Sequence, residues 1–426
     1  MHFKQEAAAQ ILEFPNWNWE QNLYRKEYNS YNQDLKLMGL VKNFSLAILG
    51  AGFTVLATSI QAKAITLTYN SSIGSPGFGP GQLFVPQGIT VDNSGNILVS
   101  NGRGLNPDGT FNPNIGNKVE VFNPQGNYIG AIGKGGKGAG EFDEPSALEI
   151  DPQTGNLYVG DVFNNRVNVY NPQGNFINSF GEFGGLIPGR AFFGPSGVTF
   201  DKTGNVYIGD FSGDKINKYT KDGKLIGSIG TSGTQPGQFE GPAGLRISPV
   251  SGNFYVSDQF NNRVQVLDPE GKSLFTFGKQ GSGDGEFNQP IGLEVDEFEN
   301  IYVADSINSR VQVFDKNGNF LTAYGKAAAA APPQLGQPPF GDPLDLTPGT
   351  FNWTGGTSYK NGKLYVGDFF QGRVQVLNVE GRTQVPEPSS ALGLALLGLG
   401  AATMTLRKRG QQKPVFNLEK ELQKQC

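Results

Sequence analysis

The chain has 426 residues, of which 17% are charged, and its formal net charge is −4. Its one Cys is Cys426 and its one His is His2, so the central part of the chain can form no disulfide, no cysteine or histidine catalytic centre and no His/Cys zinc site. The charge balance gives no electrostatic basis for nucleic-acid binding, and the 61 Gly, 26 Pro and 31 Phe favour short strands joined by tight turns.

The N-terminal region predicts export. Lys42 precedes an apolar run over 44–60, and an A-x-A cleavage site follows at Ala62 and Ala64. A basic start, an apolar centre and a small-residue cleavage site are typical of a secretory signal peptide. We therefore expect residues 38–64 to be removed after Ala64.

The segment before this signal is unusual. Residues 1–37 are polar and include two Trp, unlike the short basic start of a signal peptide. We expect translation to begin at Met38. The alternative is an uncleaved signal anchor, with residues 1–37 as a cytoplasmic tail.

Residues 65–383 contain six copies of a repeat. An anchor Asp marks five copies and an Asn marks the first, at Asn101, Asp161, Asp210, Asp258, Asp305 and Asp368. Each copy has four short alternating apolar segments separated by turn signals. In the fifth copy these predict strands over 291–296, 301–305, 310–315 and 320–324. Four antiparallel strands per ~45-residue unit predict an all-β, six-bladed propeller, with helices expected only in the signal peptide and a C-terminal anchor.

The sixth copy is incomplete. It has three strands, predicted over 357–359, 363–368 and 373–378, and the missing fourth strand is available at 65–70, where the residues alternate as an outer strand does. We predict that strand 65–70 pairs with strand 373–378. This pairing closes the ring and removes two exposed strand edges.

The repeated G-x-F-x-x-P-x-G start, the Y-V-x-D strand and the N-x-R-V-Q-V strand resemble the NHL-repeat family. The resemblance covers about three-quarters of the chain and implies a six-bladed β-propeller. Members of that family bind proteins or RNA, or occasionally catalyse reactions. The RNA-binding reading needs a basic face, which the charge balance does not support.

Charged residues recur once in most blades at the end of one strand and the start of the next. Because catalytic sites break symmetry whereas structural contacts repeat, we interpret these as blade braces rather than as an active centre. They are Asp161, Arg166, Asp210, Asp258, Arg263, Asp305, Arg310, Asp368 and Arg373.

Two apolar features also recur. Motif phenylalanines are expected to pack between blades, and motif glycines are expected to allow close backbone approach on the innermost strand. The phenylalanines are Phe84, Phe142, Phe193, Phe239 and Phe287, and the glycines are Gly88, Gly197, Gly244 and Gly292.

One position of the innermost strand differs between copies and lies between two apolar residues. It is Thr90, Glu149, Thr199, Arg246, Glu294 and Ser358 in the six copies. Because this strand lines the channel, Glu149, Arg246 and Glu294 are the candidate site for a small ligand or cation. The alternative is a structural Glu294–Arg246 pair without a ligand. No cofactor or metal is predicted, although a carboxylate Ca²⁺ site is possible and unmarked.

The C-terminal region predicts sorting. Residues Pro386, Glu387 and Pro388 are followed by an apolar run over 391–406 and then by the basic cluster Arg407, Lys408 and Arg409. This order over 384–409 resembles the PEP-CTERM sorting signal. The resemblance implies export to the cell surface and processing by an exosortase, with transient membrane anchoring. A simple membrane anchor is the alternative, and a polar tail, 410–426, follows the basic cluster.

Together these features predict an exported propeller that binds or scaffolds rather than catalyses, with a protein or polysaccharide ligand at the cell surface and no nucleic acid. The alternative is an enzyme of the propeller lyase or lactonase type that uses a carboxylate-bound divalent cation. The sequence shows no catalytic constellation that favours this alternative.

Overall fold

A computed structural model describes residues 64–105, 111–185, 187, 194–329 and 344–381. The predicted extension 1–37, residues 38–63 of the predicted signal peptide 38–64, the sorting motif and basic cluster within 384–409, and the tail 410–426 lie outside these residues, as do the helices expected there. Within the described part of the chain, no helix is both long and apolar enough to cross a membrane.

The described residues form six four-stranded antiparallel sheets, which confirms the predicted six-bladed, all-β propeller. Blade 1 consists of Pro86–Val91, Ile97–Leu105, Phe111–Phe122 and Tyr128–Ile132. Blade 2 consists of Pro145–Ile150, Leu157–Asp161, Arg166–Tyr170 and Phe176–Phe180. Blade 3 consists of Pro195–Phe200, Val206–Asp210, Lys215–Tyr219 and Leu225–Ile229. Blade 4 consists of Pro242–Ile247, Phe254–Asp258, Arg263–Leu267 and Ser273–Phe277. Blade 5 consists of Pro290–Val295, Ile301–Asp305, Arg310–Phe314 and Phe320–Tyr324. Blade 6 consists of Thr354–Lys360, Lys363–Asp368, Arg373–Glu380 and the N-terminal strand Thr66–Ile73.

Short elements connect these blades. A 3₁₀ turn, Phe369–Gln371, follows the second strand of blade 6. Two-residue parallel pairs precede three innermost strands, and they join Ser75–Pro76 to Gln82–Leu83, Thr231–Ser232 to Gln238–Phe239, and Lys326–Ala327 to Thr350–Phe351.

The burial of each strand follows its place in the blade. The second strand of blade 2, Leu157–Asp161, is buried at every residue because neighbouring blades cover both of its faces. The outermost strand, Phe176–Phe180, is exposed over most of its length. Continuous apolar runs therefore mark the middle of a blade, and the weakly patterned strands mark its edge.

The ring is closed by the N-terminal strand, as predicted. Thr66–Ile73 pairs antiparallel with Arg373–Glu380, from Thr66 opposite Glu380 to Ile73 opposite Val374. Leu67 and Ile73 are buried, so the strand contributes to the core as well as to the hydrogen-bond ladder. The closing strand is eight residues long and extends three residues beyond the prediction.

The closing strand also reproduces a local irregularity of the other blades. The pairing of its register shifts between Tyr69 and Ser71, which leaves Asn70 as the extra residue of a β-bulge. The outermost strand of blade 1 has the same bulge at Ile129, which is 55% exposed. Because a bulge bends a strand and disrupts its ladder, it hinders edge-to-edge pairing with other chains.

Close packing of the innermost strands depends on glycine in five of the six blades. An added Cβ on Gly292 lies 2.5 Å from the Gly355 carbonyl oxygen of the next blade, and one on Gly197 lies 2.8 Å from the Cβ of Leu245. Blade 2 has Ala147 at this position instead. The absence of side chains lets the strands approach around a narrow central channel.

The motif phenylalanines pack between blades. Phe142, Phe239 and Phe287 are fully buried, whereas Phe193 lies outside the described residues. The assignment of Phe84 was wrong by one residue. Leu83 occupies the equivalent place in blade 1, because the amide of Phe84 donates to the anchor Asn101 as the amide of Asp143, which follows Phe142, donates to Asp161. In blade 3 the residue that donates to the anchor Asp210 is Gly184, which follows the buried Phe183.

Candidate ligand site in the central channel

The channel has two chemically different ends. Each innermost strand begins opposite the anchor residue of the second strand, as Pro145 does opposite Asp161, and ends where the hairpin turns, as Ile150 does opposite Leu157. We call the first the brace end and the second the hairpin end. Every blade has the same orientation, so each end collects one residue per blade at each level.

The anchor carboxylates are hydrogen-bonded at the brace end. Asp258 accepts bonds from the amide of Glu240 at 2.7 Å and from Arg263 Nε at 2.8 Å. The guanidinium of Arg263 also donates to the carbonyls of Thr234 at 2.7 Å and Gln238 at 2.9 Å. The arginine thus ties the second and third strands to the loop that leads into its own blade.

Equivalent contacts occur in other blades. The Arg Nε to Asp Oδ2 distance is 3.0 Å in blade 2 and 2.8 Å in blades 5 and 6, for Arg166–Asp161, Arg310–Asp305 and Arg373–Asp368. Blade 3 differs because Lys215 stands 4.0 Å from Asp210 and is 41% exposed. In blade 1 the anchor Asn101 is bonded to the buried Glu120, which also pairs with Lys118 at 3.1 Å.

The three residues singled out from the repeats converge at the hairpin end. Arg246 Nη2 lies 2.5 Å from Glu294 Oε1 and 3.4 Å from Glu149 Oε2. Glu294 belongs to the adjacent blade 5, whereas Glu149 belongs to blade 2, so Arg246 spans part of the channel. Its remaining donors reach the carbonyls of Leu245 and Val198.

Burial dominates the electrostatics of this cluster. It raises the pKa of Glu294 to about 7 against the opposing charge of Arg246, and it raises the pKa of Glu149 against the same charge. Removing carboxylates from water disfavours their charged form even when a cation is near. The guanidinium therefore contacts two carboxyl groups whose pKa values are both raised by burial.

The brace end holds a pocket of different character. It encloses about 500 Å³, including the space open to solvent at its mouth. Its walls include Val162, Phe211, Ile291 and Phe369, and no charged side chain is among the described residues that line it. Apolar walls with a few polar groups between them are typical of small-molecule sites.

Two glutamines are among the polar residues that line this pocket. Gln87 Nε2 donates to Glu144 Oε1, and Gln259 Nε2 donates to Gln289 Oε1 at 3.3 Å. Gln259 is only 3% exposed, and its Oε1 has no hydrogen-bond partner among the described residues. A buried acceptor without a donor is costly in a protein alone and is resolved by water or ligand.

A buried acidic residue stands beside the pocket. Glu144 accepts from the amide of Arg103 at 2.8 Å, and burial raises its pKa. Arg103 pairs with Asp143 at 2.6 Å and lies over the ring of Phe163 at 3.3 Å. The charged groups of Arg103, Asp143 and Glu144 at the rim of the pocket are therefore already bonded to protein groups before any ligand binds.

Sequence reasoning missed the brace-end pocket. Its key residues occupy two variable positions of the repeat, one directly after the anchor residue and one directly after the motif proline, which is replaced by Thr354 in blade 6. The first is Gly102, Val162, Phe211, Gln259, Ser306 and Phe369 in the six blades, and the second is Gln87, Ser146, Ser196, Ala243, Ile291 and Gly355. The signal was the same variation between copies that identified Glu149, Arg246 and Glu294.

No group of three or more His, Cys, Asp or Glu side chains suited to a metal ion occurs within the part of the chain that the structure describes. The carboxylates of Glu149 and Glu294 both contact the same nitrogen of Arg246, so a cation there has to displace that side chain.

Comparison with known proteins identifies the architecture and the sorting signal. Residues 111–180 and 243–324 match a family model described as a 6-bladed beta-propeller, and residues 384–409 match the PEP-CTERM protein-sorting motif. The first match is compatible with the resemblance to NHL repeats. The second indicates export with membrane-associated sorting to the cell envelope, and it implies processing by an exosortase.

Several solved structures resemble the chain at low sequence identity. A protein of unknown function from Bacteroides thetaiotaomicron has a TM-score of 0.52 and 19% identity, over 75% of this chain and 76% of that one. Virginiamycin B lyase from Staphylococcus aureus has a TM-score of 0.44 and 12% identity, over 74% and 99%. A streptogramin B lyase has 0.43 and 15%, over 74% and 98%. No curated protein sequence matches the chain.

Proposed function

We propose that this chain, a six-bladed β-propeller with a PEP-CTERM protein-sorting motif, is an exported binding or scaffolding protein that does not catalyse a reaction. Its ligand is a protein or polysaccharide at the cell surface, and it needs no cofactor. The C-terminal segment anchors it in the membrane until the exosortase acts. Nucleic acid is not a partner.

The uncharged pocket at the brace end is the observation that carries this proposal. It combines apolar walls with a buried, unpartnered acceptor on Gln259, which is the chemistry of recognition. The charged groups of the channel lie at its other end, where Arg246 pairs with two carboxyl groups. Pairing of this kind supports a structural role for that cluster.

The test is a binding screen on the full-length protein, purified from the envelope. Glycan arrays and capture of envelope proteins should identify a ligand, and mass spectrometry of the recovered ligand should find it chemically unchanged. A ligand that the protein converts into product contradicts the proposal, and so does the absence of binding in both screens.

A second candidate, an enzyme of the propeller lyase or lactonase type, is favoured by one observation. Two carboxyl groups, those of Glu149 and Glu294, meet within the channel, and such groups can bind a divalent cation once Arg246 moves away. This candidate requires turnover that depends on an added divalent cation and is lost in the Glu149→Gln variant. Metal analysis of the purified protein tests it directly.

A further inference from the structure

We infer that the pocket at the brace end binds an uncharged sugar unit of a polysaccharide, held between Phe211 and Phe369 and hydrogen-bonded by Gln87 and Gln259. The inference rests on the proposed function and assigns a ligand class to it. It places the ligand at the opposite end of the channel from Glu149, Arg246 and Glu294.

The arrangement of the walls follows from the order of the blades. Consecutive innermost strands pack side by side around the ring, so blades 3 and 6 are opposite each other, as are blades 1 and 4. Phe211 belongs to blade 3 and Phe369 to blade 6, whereas Gln87 belongs to blade 1 and Gln259 to blade 4. Two aromatic walls thus alternate with two amide walls around one pocket.

Each aromatic wall is backed by further rings. The ring of Phe211 lies 5.7 Å from that of Phe260. The ring of Phe369 lies 5.0 Å from that of Phe370, which in turn lies 5.2 Å from Trp353. Such packing holds the rings in place and lowers the entropic cost of binding.

The polar groups of the pocket favour a ligand that donates hydrogen bonds. Gln259 Oε1 is an unpartnered acceptor. The hydroxyls of Ser146 and Ser196 already donate to the carbonyls of Pro195 at 3.0 Å and Pro242 at 2.5 Å, so they can only accept further bonds. A ligand with several hydroxyl donors satisfies these acceptors.

Charge narrows the ligand class further. No carboxylate lines the pocket within the described residues, and the adjacent Glu144 already accepts from Gln87 and from the amide of Arg103. A cationic ligand therefore finds no free counter-charge there, and a buried unpaired charge is costly. An anionic sugar is excluded on the same ground, because no Arg or Lys is among the described residues that line the pocket and Arg103 at its rim is already paired with Asp143. A neutral sugar ring has two faces rich in C–H groups and an edge of hydroxyls, which matches aromatic walls and amide walls in alternation.

Titration of the full-length protein with neutral and uronic-acid oligosaccharides tests this inference. Trp353 is the only Trp in the propeller, and its contact with the Phe370–Phe369 pair makes its fluorescence a reporter of the pocket. We expect a neutral oligosaccharide to change this fluorescence and the uronic-acid series to leave it unchanged.

The variants Gln259→Leu and Phe369→Leu should each weaken binding by roughly 3- to 10-fold, as expected for one buried hydrogen bond or one packed ring. The matched control is Gln153→Leu, which makes the same change at an exposed glutamine remote from the pocket. Thermal unfolding checks that each variant is folded. If Gln259→Leu does not fold, Phe369→Leu carries the test.

Preference for uronic acids, or sugar binding that neither pocket variant weakens, overturns the inference. Capture of an envelope protein that is lost in Gln259→Leu, with no sugar bound, overturns the sugar class and leaves the binding function standing. Failure of both sugars and envelope proteins to bind overturns the inference together with the proposed function.

Discussion

A disulfide across the closing strand tests the architecture most directly. Thr68 lies opposite Asn378 in the pairing of the first and last strands, and their side-chain oxygen and nitrogen are 3.5 Å apart. We propose the double variant Thr68→Cys, Asn378→Cys in a chain that also carries Cys426→Ser, because that residue is the chain's one natural thiol.

The expected stabilisation follows from the length of the closed loop. The two residues are 310 positions apart in sequence, and a crosslink over such a loop removes unfolded-state entropy equivalent to about 5 to 6 kcal/mol at 25 °C. Engineered bonds often deliver less because they strain the native geometry. Even half of this value raises Tm by roughly 4 °C, because a domain of over 300 residues has a large entropy of unfolding.

Thiol titration and differential scanning calorimetry with and without reductant measure the effect. The control is Ser72→Cys with Asn378→Cys, because Ser72 pairs with Gln375 and its exposed side chain is out of register with residue 378. We expect only the Thr68 variant to form the bond in the folded state. Failure of the Thr68 variant to form the bond in the folded state, or a bond in the control alone, refutes the closure described above.

Three further predictions concern the channel and its supports. Gly292→Ala should lower the free energy of unfolding, measured in urea, by about 1 to 3 kcal/mol, because the added Cβ meets backbone atoms of the next blade. The control is Gly227→Ala, where the added Cβ meets nothing within 4 Å, and it should be neutral or slightly stabilising. Arg263→Lys should lower the free energy of unfolding by about 1.5 to 3 kcal/mol, because hydrogen bonds to buried partners are lost. Lys215→Ala should lower it by less than ~1 kcal/mol, because that lysine is partly exposed and 4.0 Å from its partner. Equal losses in the two variants contradict the brace interpretation. Because the pKa of Glu294 rises from 4.5 to about 7 on folding, its contribution to stability is present below pH 4.5 and is lost, by at most about 3 kcal/mol, as the pH rises to 7. Glu294→Gln should therefore flatten the dependence of Tm on pH over this window, and an unchanged slope assigns it to other groups.

The repeats made the fold predictable because blade geometry is encoded locally. In blade 5 the second and fourth strands lie at the predicted 301–305 and 320–324, and the third ends one residue earlier than expected. The first strand begins one residue earlier, because Pro290 pairs with the anchor Asp305. The sequence shows the alternation of apolar and polar residues, the turn residues and the missing strand of the sixth copy. These features are enough to determine which strands pair within a blade.

The partners of the channel residues depended on the closed ring. Variation between copies selected Glu149, Arg246 and Glu294, but only the ring brings Glu149 within 3.4 Å of Arg246, two blades away. The pocket between Phe211 and Phe369 joins residues from opposite blades, and each residue alone resembles an ordinary post-strand position. Periodicity therefore determined the number, order and closure of the blades. The tertiary structure decided which side chains face each other across the axis, because that depends on ring geometry and on burial rather than on sequence spacing.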